Sequence, residues 1–375
     1  MDGIDMFERP VWAEVDLAAI ANNVREIKKL VKPTVKFCAV VKGDGYGHGA
    51  VAVARTVLAA GADCLAVAIV SEAVELRRAG FTVPIMVLGF TPAQQAKLVA
   101  VNNITQTVYS LEAAQALAAA AAATGKPVKV HIKIDTGMGR IGVMPAEAGS
   151  FALAVARLPG IEIEGVFSHF ATADSRDKSY AYEQMDKFKA ALAAIEQCGI
   201  KIPVRHIANS AATLELPSAH FDMVRAGIIL YGLWPSAEVA RMINLKPAMC
   251  LKAQLVQVKS VPAGTSISYG RTYSTPDNRR IATLPIGYAD GWTRLLSGKT
   301  SVLVRGRRAP LVGTICMDQC MVDVSEIPAA LPGDTAILFG SPQLTAAEVA
   351  AKIGTISYEL VCMVGKRVPR LYIQR

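Results

Sequence analysis

No run of about 18 uninterrupted apolar residues occurs in the 375-residue chain, so no membrane span is expected. The opening residues, MDGIDMFERPVW, lack the basic region and apolar run of a secretory signal, and a cytoplasmic protein is the expectation. Cysteines number seven, an odd and scattered set. That argues against a disulfide framework and fits a reducing compartment. Cys316 and Cys320 form a C-x-x-x-C pair with no histidine nearby. They read as apolar wall residues rather than zinc ligands, and no metal site is expected. Charged residues make up only 19% against 52% hydrophobic, too apolar a balance for disorder. The 40 Lys and Arg exceed the 31 Asp and Glu, giving a net charge of +9. The local cluster Arg305, Arg307 and Arg308 lacks an aromatic platform or binding motif, so no nucleic-acid partner is expected. A small anionic ligand, a phosphate or carboxylate, fits the modest excess as well.

What is present is a regular beat. Short β-rich runs occur at VKFCAVV (35–41), CLAVAI (64–69), PIMVL (84–88), ITQTV (104–108), VKVHIKI (128–134), IEIEGVF (161–167), VRHI (204–207) and MVRAGIIL (223–230). Seven of the eight gaps hold stretches of helical length, such as His48–Ala60, Ser110–Ala123 and Lys178–Cys198. An earlier helix is expected over Leu17–Val31, with Asp16 as its N-cap. Apolar strands alternating with helices predict a parallel sheet covered by helices, and eight repeats favour a closed (β/α)8 barrel over an open doubly wound sheet. After residue 245 the rhythm changes to short strands split by Gly, Pro and Asp, with TAAEVAAKIG (345–354) as the clear helix. The expected organisation is an α/β barrel over 12–240 and a mostly β C-terminal domain over 241–375, with residues 1–11 packing on the latter and a linker near Trp234–Pro247.

The segment VVKGDGYGHGA (40–50) follows the first barrel strand and opens a helix. Lys42 therefore falls at the C-terminal mouth of the barrel, where catalytic groups of this fold sit. Desolvation there lowers an amine's pKa and makes it available as a Schiff-base nucleophile or general base. The same segment fits G-x-G-x-x-A, a dinucleotide fingerprint, but that reading needs an acidic residue ending the second strand, and Asp63 precedes it. Other strand ends supply Lys133 and Arg140, Ser168 and His169, His206 with Asn209 and Ser210, and Arg225 with Gly227 and Ile228. Loops after strands seven and eight often hold a phosphate in such barrels. A lysine across the mouth from a phosphate cradle points to pyridoxal 5′-phosphate (PLP).

VVKGDGYGHGA resembles the cofactor-attachment segment of the bacterial alanine racemases. IKIDTGMGRIG (132–142), HIANSAA (206–212), VRAGIILYG (224–232), SYGRTY (268–273), LPIGYADG (284–291), GTICMDQ (313–319) and ISYELVCMVGKRVPR (356–370) extend the resemblance over nearly the whole chain. It implies a PLP-binding barrel with a C-terminal β domain, and interconversion of L- and D-alanine through an aldimine by two bases. Lys42 would hold the cofactor and act on one face of the substrate's Cα. Tyr269 would act on the other, reaching in from the partner of a homodimer. Tyr46, Asn209, Ser210, Gly227, Ile228 and Tyr358 would serve the cofactor, most of them at its phosphate. Arg225 would face the pyridine nitrogen, with His169 bonded to it. Arg140 and the Met317 amide would take the substrate carboxylate, and Tyr288, Arg294 and Asp318 would line the access route. Lys133 matches a position that is carbamylated in some members. The commoner family pattern has alanine where Gly43 and Gly45 stand. The resemblance implies D-alanine supply for peptidoglycan. Alternatives are racemisation of another amino acid such as serine, or a non-catalytic PLP-binding protein, which lacks the second domain.

Overall fold

The β-rich runs do form strands, because most are short, apolar and buried on both faces, as a helix-covered parallel sheet demands; the last is a strand only over Met223–Ala226. The computed structural model describes residues 9–374. They divide into two compact units. One holds Ala19–Gly45 and Ala50–Lys246. The other holds the residues up to Ala18, Tyr46–Gly49, and those from Pro247 on.

The first strand, β1 (Val11–Asp16), belongs to the C-terminal unit. The sequence reading begins the barrel at residue 12, but the backbone of this strand pairs with C-terminal strands instead. Residues 1–8 lie outside the described residues. The Asp16 carboxylate accepts from Ala18 N (2.9 Å), the expected cap, at the start of α1 (Leu17–Lys28).

In the barrel unit the strands are β2 (Lys36–Val40), β3 (Cys64–Val67), β4 (Ile85–Val87), β5 (Thr105–Val108), β6 (Val128–Lys133), β7 (Ile161–Phe167), β8 (Val204–His206) and β9 (Met223–Ala226). They form one parallel sheet in the order β8-β7-β6-β5-β4-β3-β2-β9. The remaining seam, between β8 and β9, is bridged by Asp222 N to Arg205 O (3.0 Å) and Arg225 N to Ala208 O (3.1 Å). The result is a nearly closed eight-stranded barrel. Intervening helices are α2 (Ala50–Ala59), α3 (Val70–Arg78), α4 (Ala96–Val101), α5 (Leu111–Thr124), α6 (Ala148–Ala156), α7 (Ser179–Gln197) and α8 (Ser210–Glu215). Ser110 caps α5 through Ala113 N, and Gly125 ends it in the left-handed conformation that glycine adopts without penalty.

The C-terminal unit is a nine-stranded sheet plus a two-stranded ribbon. Its further strands are β10 (Met249–Gln254), β11 (Gln257–Val261), β12 (Ser266–Ile267), β13 (Tyr273–Ser274), β14 (Arg279–Leu284), β15 (Ser301–Val304), β16 (Arg307–Val312), β17 (Cys320–Asp323), β18 (Thr335–Phe339) and β19 (Arg370–Ile373). The order is β11-β14-β17-β16-β15-β18-β10-β1-β19, so β1 lies antiparallel to β10 and parallel to β19. The expected helix forms as α9 (Ala346–Ala351), capped by Thr345. A second helix, α10 (Ser357–Met363), adds to it. The arginine cluster turns out to be a hairpin. Arg305 and Gly306 supply two left-handed residues between β15 and β16. Arg305 pairs with Asp334 (2.7 Å) and Arg308 with Glu348 (2.6 Å).

Candidate active site

Lys42 stands two residues beyond β2 and begins an unusual turn. Gly43, Asp44, Gly45 and Tyr46 all have φ between 52° and 62°, and Gly45 N bonds to Val41 O (2.8 Å). A left-handed residue with a Cβ costs about 1–2 kcal/mol, so glycine at 43 and 45 halves the strain of this turn. The turn is tied at both ends. Gly43 N donates to Glu72 Oε1 (2.5 Å), and Glu72 Oε2 accepts from Ala68 N (2.8 Å) after the next strand. Asp44 Oδ1 accepts from Ala50 N (2.8 Å) at the start of α2. A strained, over-determined backbone of this kind is typical of functional positions.

Because β2 pairs with β9, with Ala39 opposite Ala226, Lys42 and Gly227 emerge at the same mouth of the barrel. Gly227 N donates to Ser210 Oγ (2.9 Å), which turns the hydroxyl's own proton elsewhere. Asn209 caps α8 by accepting from Ala212 N (3.0 Å), and Ile228 opens a short 3-10 turn behind Gly227. Asn209, Ser210, Gly227 and Ile228, the residues expected at a phosphate, thus lie at the ends of β8 and β9.

Arg225 is 3% exposed on β9. Its guanidinium meets His206 Nδ1 (2.7 Å), Ser168 O (2.9 Å), Ile207 O (3.1 Å) and His169 Nδ1 (3.2 Å). Burial pulls its pKa down to about 10, still charged at neutral pH. His169 is held far below its ordinary value by burial first, and then by Arg225, Lys133, Arg140 and Lys42. Four basic side chains of the barrel mouth therefore act on one neutral imidazole. Gln184 on α7 fixes the His169 loop by donating to His169 O (3.1 Å) and accepting from Ala171 N (2.9 Å).

Lys133 is 2% exposed at the end of β6. Burial, with Arg225 next, lowers its pKa to about 7. Its amine donates to Ile134 O (2.9 Å) and lies over the Phe167 ring. Arg140 is exposed on the following loop, which Asp135 Oδ1 shapes by accepting from Gly137 N (2.9 Å) and Gly139 N (3.1 Å).

The remaining candidates belong to the C-terminal unit. Tyr46 and Tyr358 meet there, ring centroids 6.2 Å apart, and burial raises the Tyr46 phenol well above its ordinary value. The stretch between them is close-packed: a Cβ on Gly47 would stand 2.3 Å from Val361 O. Tyr269 is 69% exposed beyond β12. Its carbonyl accepts from Thr314 Oγ1 (3.0 Å), while the Ser268 hydroxyl reaches Thr314 O (2.5 Å) and Cys316 Sγ (3.4 Å). Tyr288 N bonds to Cys316 O (3.1 Å). Tyr269, Tyr288 and Met317 thus gather on one side of the unit, all exposed. Asp318 pairs with Arg367 (2.6 Å), a structural partner that the sequence reading missed.

Family models described as alanine racemase, N-terminal domain, and alanine racemase, C-terminal domain, match residues 15–235 and 248–372. An alanine racemase of Desulfovibrio desulfuricans is 58% identical over 98% of this chain and 99% of its own. One from Desulforamulus reducens is 52% identical over 98% of this chain and 100% of its own. Among solved structures, the alanine racemase of Clostridium difficile 630 superposes with a TM-score of 0.95 at 43% identity, covering 98% of this chain and 96% of that one. That of Bacillus anthracis with bound L-Ala-P gives 0.93 at 42% identity, covering 98% and 96%.

Proposed function

The chain belongs to the alanine racemase family and is a PLP-dependent isomerase of alanine, and we propose that Lys42 and Tyr269 are its two bases. The alternatives, a racemase of another amino acid or a non-catalytic PLP-binding protein, are not favoured: the relatives are alanine racemases over their whole length.

The residues present fit the cofactor. An amine closes β2, a hydroxyl and two backbone amides lie at the ends of β8 and β9, and a donor-only guanidinium lies between them. PLP, when bound, supplies an electron sink that lets the Cα–H bond of the amino acid ionise. Lys42 holds the cofactor and exchanges a proton at one face of Cα. Tyr269 of the second subunit of a homodimer does so at the other. Asn209, Ser210, Gly227 and Ile228, together with Tyr46 and Tyr358, hold the phosphate end. Arg225 donates to the ring nitrogen and, being charged at neutral pH, keeps that nitrogen an acceptor. An unprotonated ring nitrogen would make PLP a weaker electron sink, which would favour prompt return of the proton to Cα over side reactions. Arg140 and the Met317 amide hold the substrate carboxylate. Tyr288, Arg294 and Asp318 line the way in.

The observation that carries this reading is the convergence of Lys42, Lys133, Arg140 and Arg225 on His169. Lys133 and Arg225 are buried among them, and buried positive charge favours anions opposite it, here a phosphate and a carboxylate. The exposure of Tyr269 supports its use by a second subunit. Lys133, partly neutral near pH 7, is in the form that takes up CO2, which supports a carbamate there. The scattered free cysteines support a cytoplasmic setting, and D-alanine for peptidoglycan is the natural product use.

Chiral chromatography of L-alanine incubated with the protein and PLP tests the reading. D-alanine should accumulate, and Lys42→Ala should abolish it. A PLP-loaded protein that leaves L-alanine untouched but racemises L-serine would replace the substrate assignment.

A further inference from the structure

Arg225 is the first member of an unbroken polar file that runs through the barrel interior toward the N-terminal ends of the strands. Its Nη1 meets His206 Nδ1 at 2.7 Å. His206 Nε2 meets His131 Nδ1 at 2.7 Å. His131 Nε2 meets Glu164 Oε2 at 3.3 Å. Glu164 is anchored in turn by Lys129 Nζ (2.8 Å) and Thr105 Oγ1 (3.2 Å). The four members come from β9, β8, β6 and β7, neighbours around one side of the barrel.

The ends of the file have only one role each. A guanidinium donates and never accepts. A carboxylate accepts and never donates. Glu164 is held ionised, near pKa 2, chiefly by its bond to His131. Burial keeps both histidines neutral, so each has one N–H and one lone pair. One assignment satisfies every contact: in both rings Nδ1 accepts and Nε2 donates. Both ends therefore impose the same direction through the two imidazoles, Arg225 donating the first hydrogen bond and Glu164 accepting the last. Phe167 stacks on His206 at 4.8 Å and 2°, and Arg225 lies over the same phenyl ring, which holds the file in plane.

We propose that Glu164, His131 and His206 form a positioning relay that fixes the Arg225 guanidinium against the cofactor's ring nitrogen. The proposal rests on the reading of Arg225 given above. No proton moves along the file and no bond is made or broken in it. Glu164 and the two histidines are positioning residues, and their loss acts on the chemical step rather than on substrate binding. Glu164 and His131 also border a cavity of about 90 Å³ at the N-terminal ends of the strands. A water that enters from there in place of the carboxylate both donates and accepts, so it imposes no direction from that end.

The test uses the PLP-loaded enzyme labelled with 15N at histidine, read by side-chain NMR, and a second sample carrying ring-15N PLP. Wild type should show single Nε2–H tautomers for His131 and His206. Glu164→Ala leaves the Arg225 bond as the one constraint on the file, so the tautomers should mix in part, the ring-nitrogen shift should move, and kcat should fall about tenfold with KM for alanine unchanged, comparable to losing an outer partner at a metal site. Glu164→Asp keeps an acceptor-only carboxylate and should retain the tautomers and most of kcat. If Glu164→Ala does not fold, His131→Phe removes the acceptor of His206 Nε2 and should give the same shift and loss. Retained tautomers, or mixed tautomers with unchanged kcat and ring shift, would overturn the relay. Arg225→Lys separates the two readings. If it moves the ring-nitrogen shift while Glu164→Ala does not, the relay alone fails. If it leaves the shift in place, Arg225 does not face that nitrogen, and both fail.

Discussion

Replacing Lys133 with methionine should make the enzyme more stable, and by an amount that depends on pH. Burial lowers the lysine from 10.5 to about 7, with Arg225 and Arg140 adding to the effect and Asp135 opposing it. Between those values the unfolded chain carries a proton that the folded chain lacks, so this residue makes stability rise as pH rises from about 7 to 10.5. At pH 6 the lysine is charged in both states and its burial is at its most costly. At pH 10 the folded form is neutral and nearly all of that cost has gone. Linkage puts the change at about 4 kcal/mol between pH 6 and pH 10. Methionine has a similar length and no charge. Chemical unfolding of wild type and Lys133→Met in CO2-free buffer reads the difference directly. Shifts that do not involve Lys133, such as those of Glu164 and His131, cancel. The advantage of Lys133→Met should be largest at pH 6 and shrink steadily toward pH 10. An advantage constant to within about 1 kcal/mol would mean that the amine is not desolvated as its burial requires.

Other outcomes follow from the same geometry. Gly43→Ala meets open space and should cost only the left-handed backbone, about 1 kcal/mol after the gain from a stiffer unfolded chain; Gly45→Ala adds contacts at 3.3 Å with Ala50 and should cost more, so thermal midpoints in the reverse order would contradict the turn described. Mixing inactive Lys42→Ala and Tyr269→Phe proteins should restore racemisation to about a quarter of wild type, because half of the dimers then hold one intact site; no recovery would place both bases in one subunit. Arg225→Glu should raise the share of turnovers lost to transamination, measured as pyruvate released per racemisation event, and an unchanged ratio would remove the case for an unprotonated ring nitrogen.

The barrel is legible in the sequence because strands buried on two faces leave nearly continuous apolar runs, and glycine and alanine-rich segments separate them. The same property hides the relay. His131 sits inside VKVHIKI and Glu164 inside IEIEGVF, where one polar residue in an apolar run carries no sign of its partner on another strand. Only the sheet order, β6 beside β7 beside β8, brings them together. Lys42, Arg225 and His169 are legible because strand ends in this fold are where function sits. Glu72 and Gln184 are not, since a half-buried acceptor and a buried amide on helices read as ordinary surface positions. Helix Ser357–Met363 escapes notice because its single apolar turn is too short for a period to emerge. Asp63, the obstacle to a dinucleotide reading, accepts from Phe37 N (2.6 Å) and so belongs to the barrel's own backbone.

The place of β1 sets a timetable for the ribosome. Val11–Asp16 is synthesised long before its neighbours in the sheet, Met249–Gln254 on one side and Arg370–Ile373 on the other. At about 5–20 residues per second the wait for the first of them is roughly ten to fifty seconds. The barrel strands all emerge within that interval and can close among themselves. Meanwhile an apolar ribbon, VWAEV, has no ladder to join. During translation it needs protection from other apolar surfaces, and a stall before codon 249 would leave it unpaired.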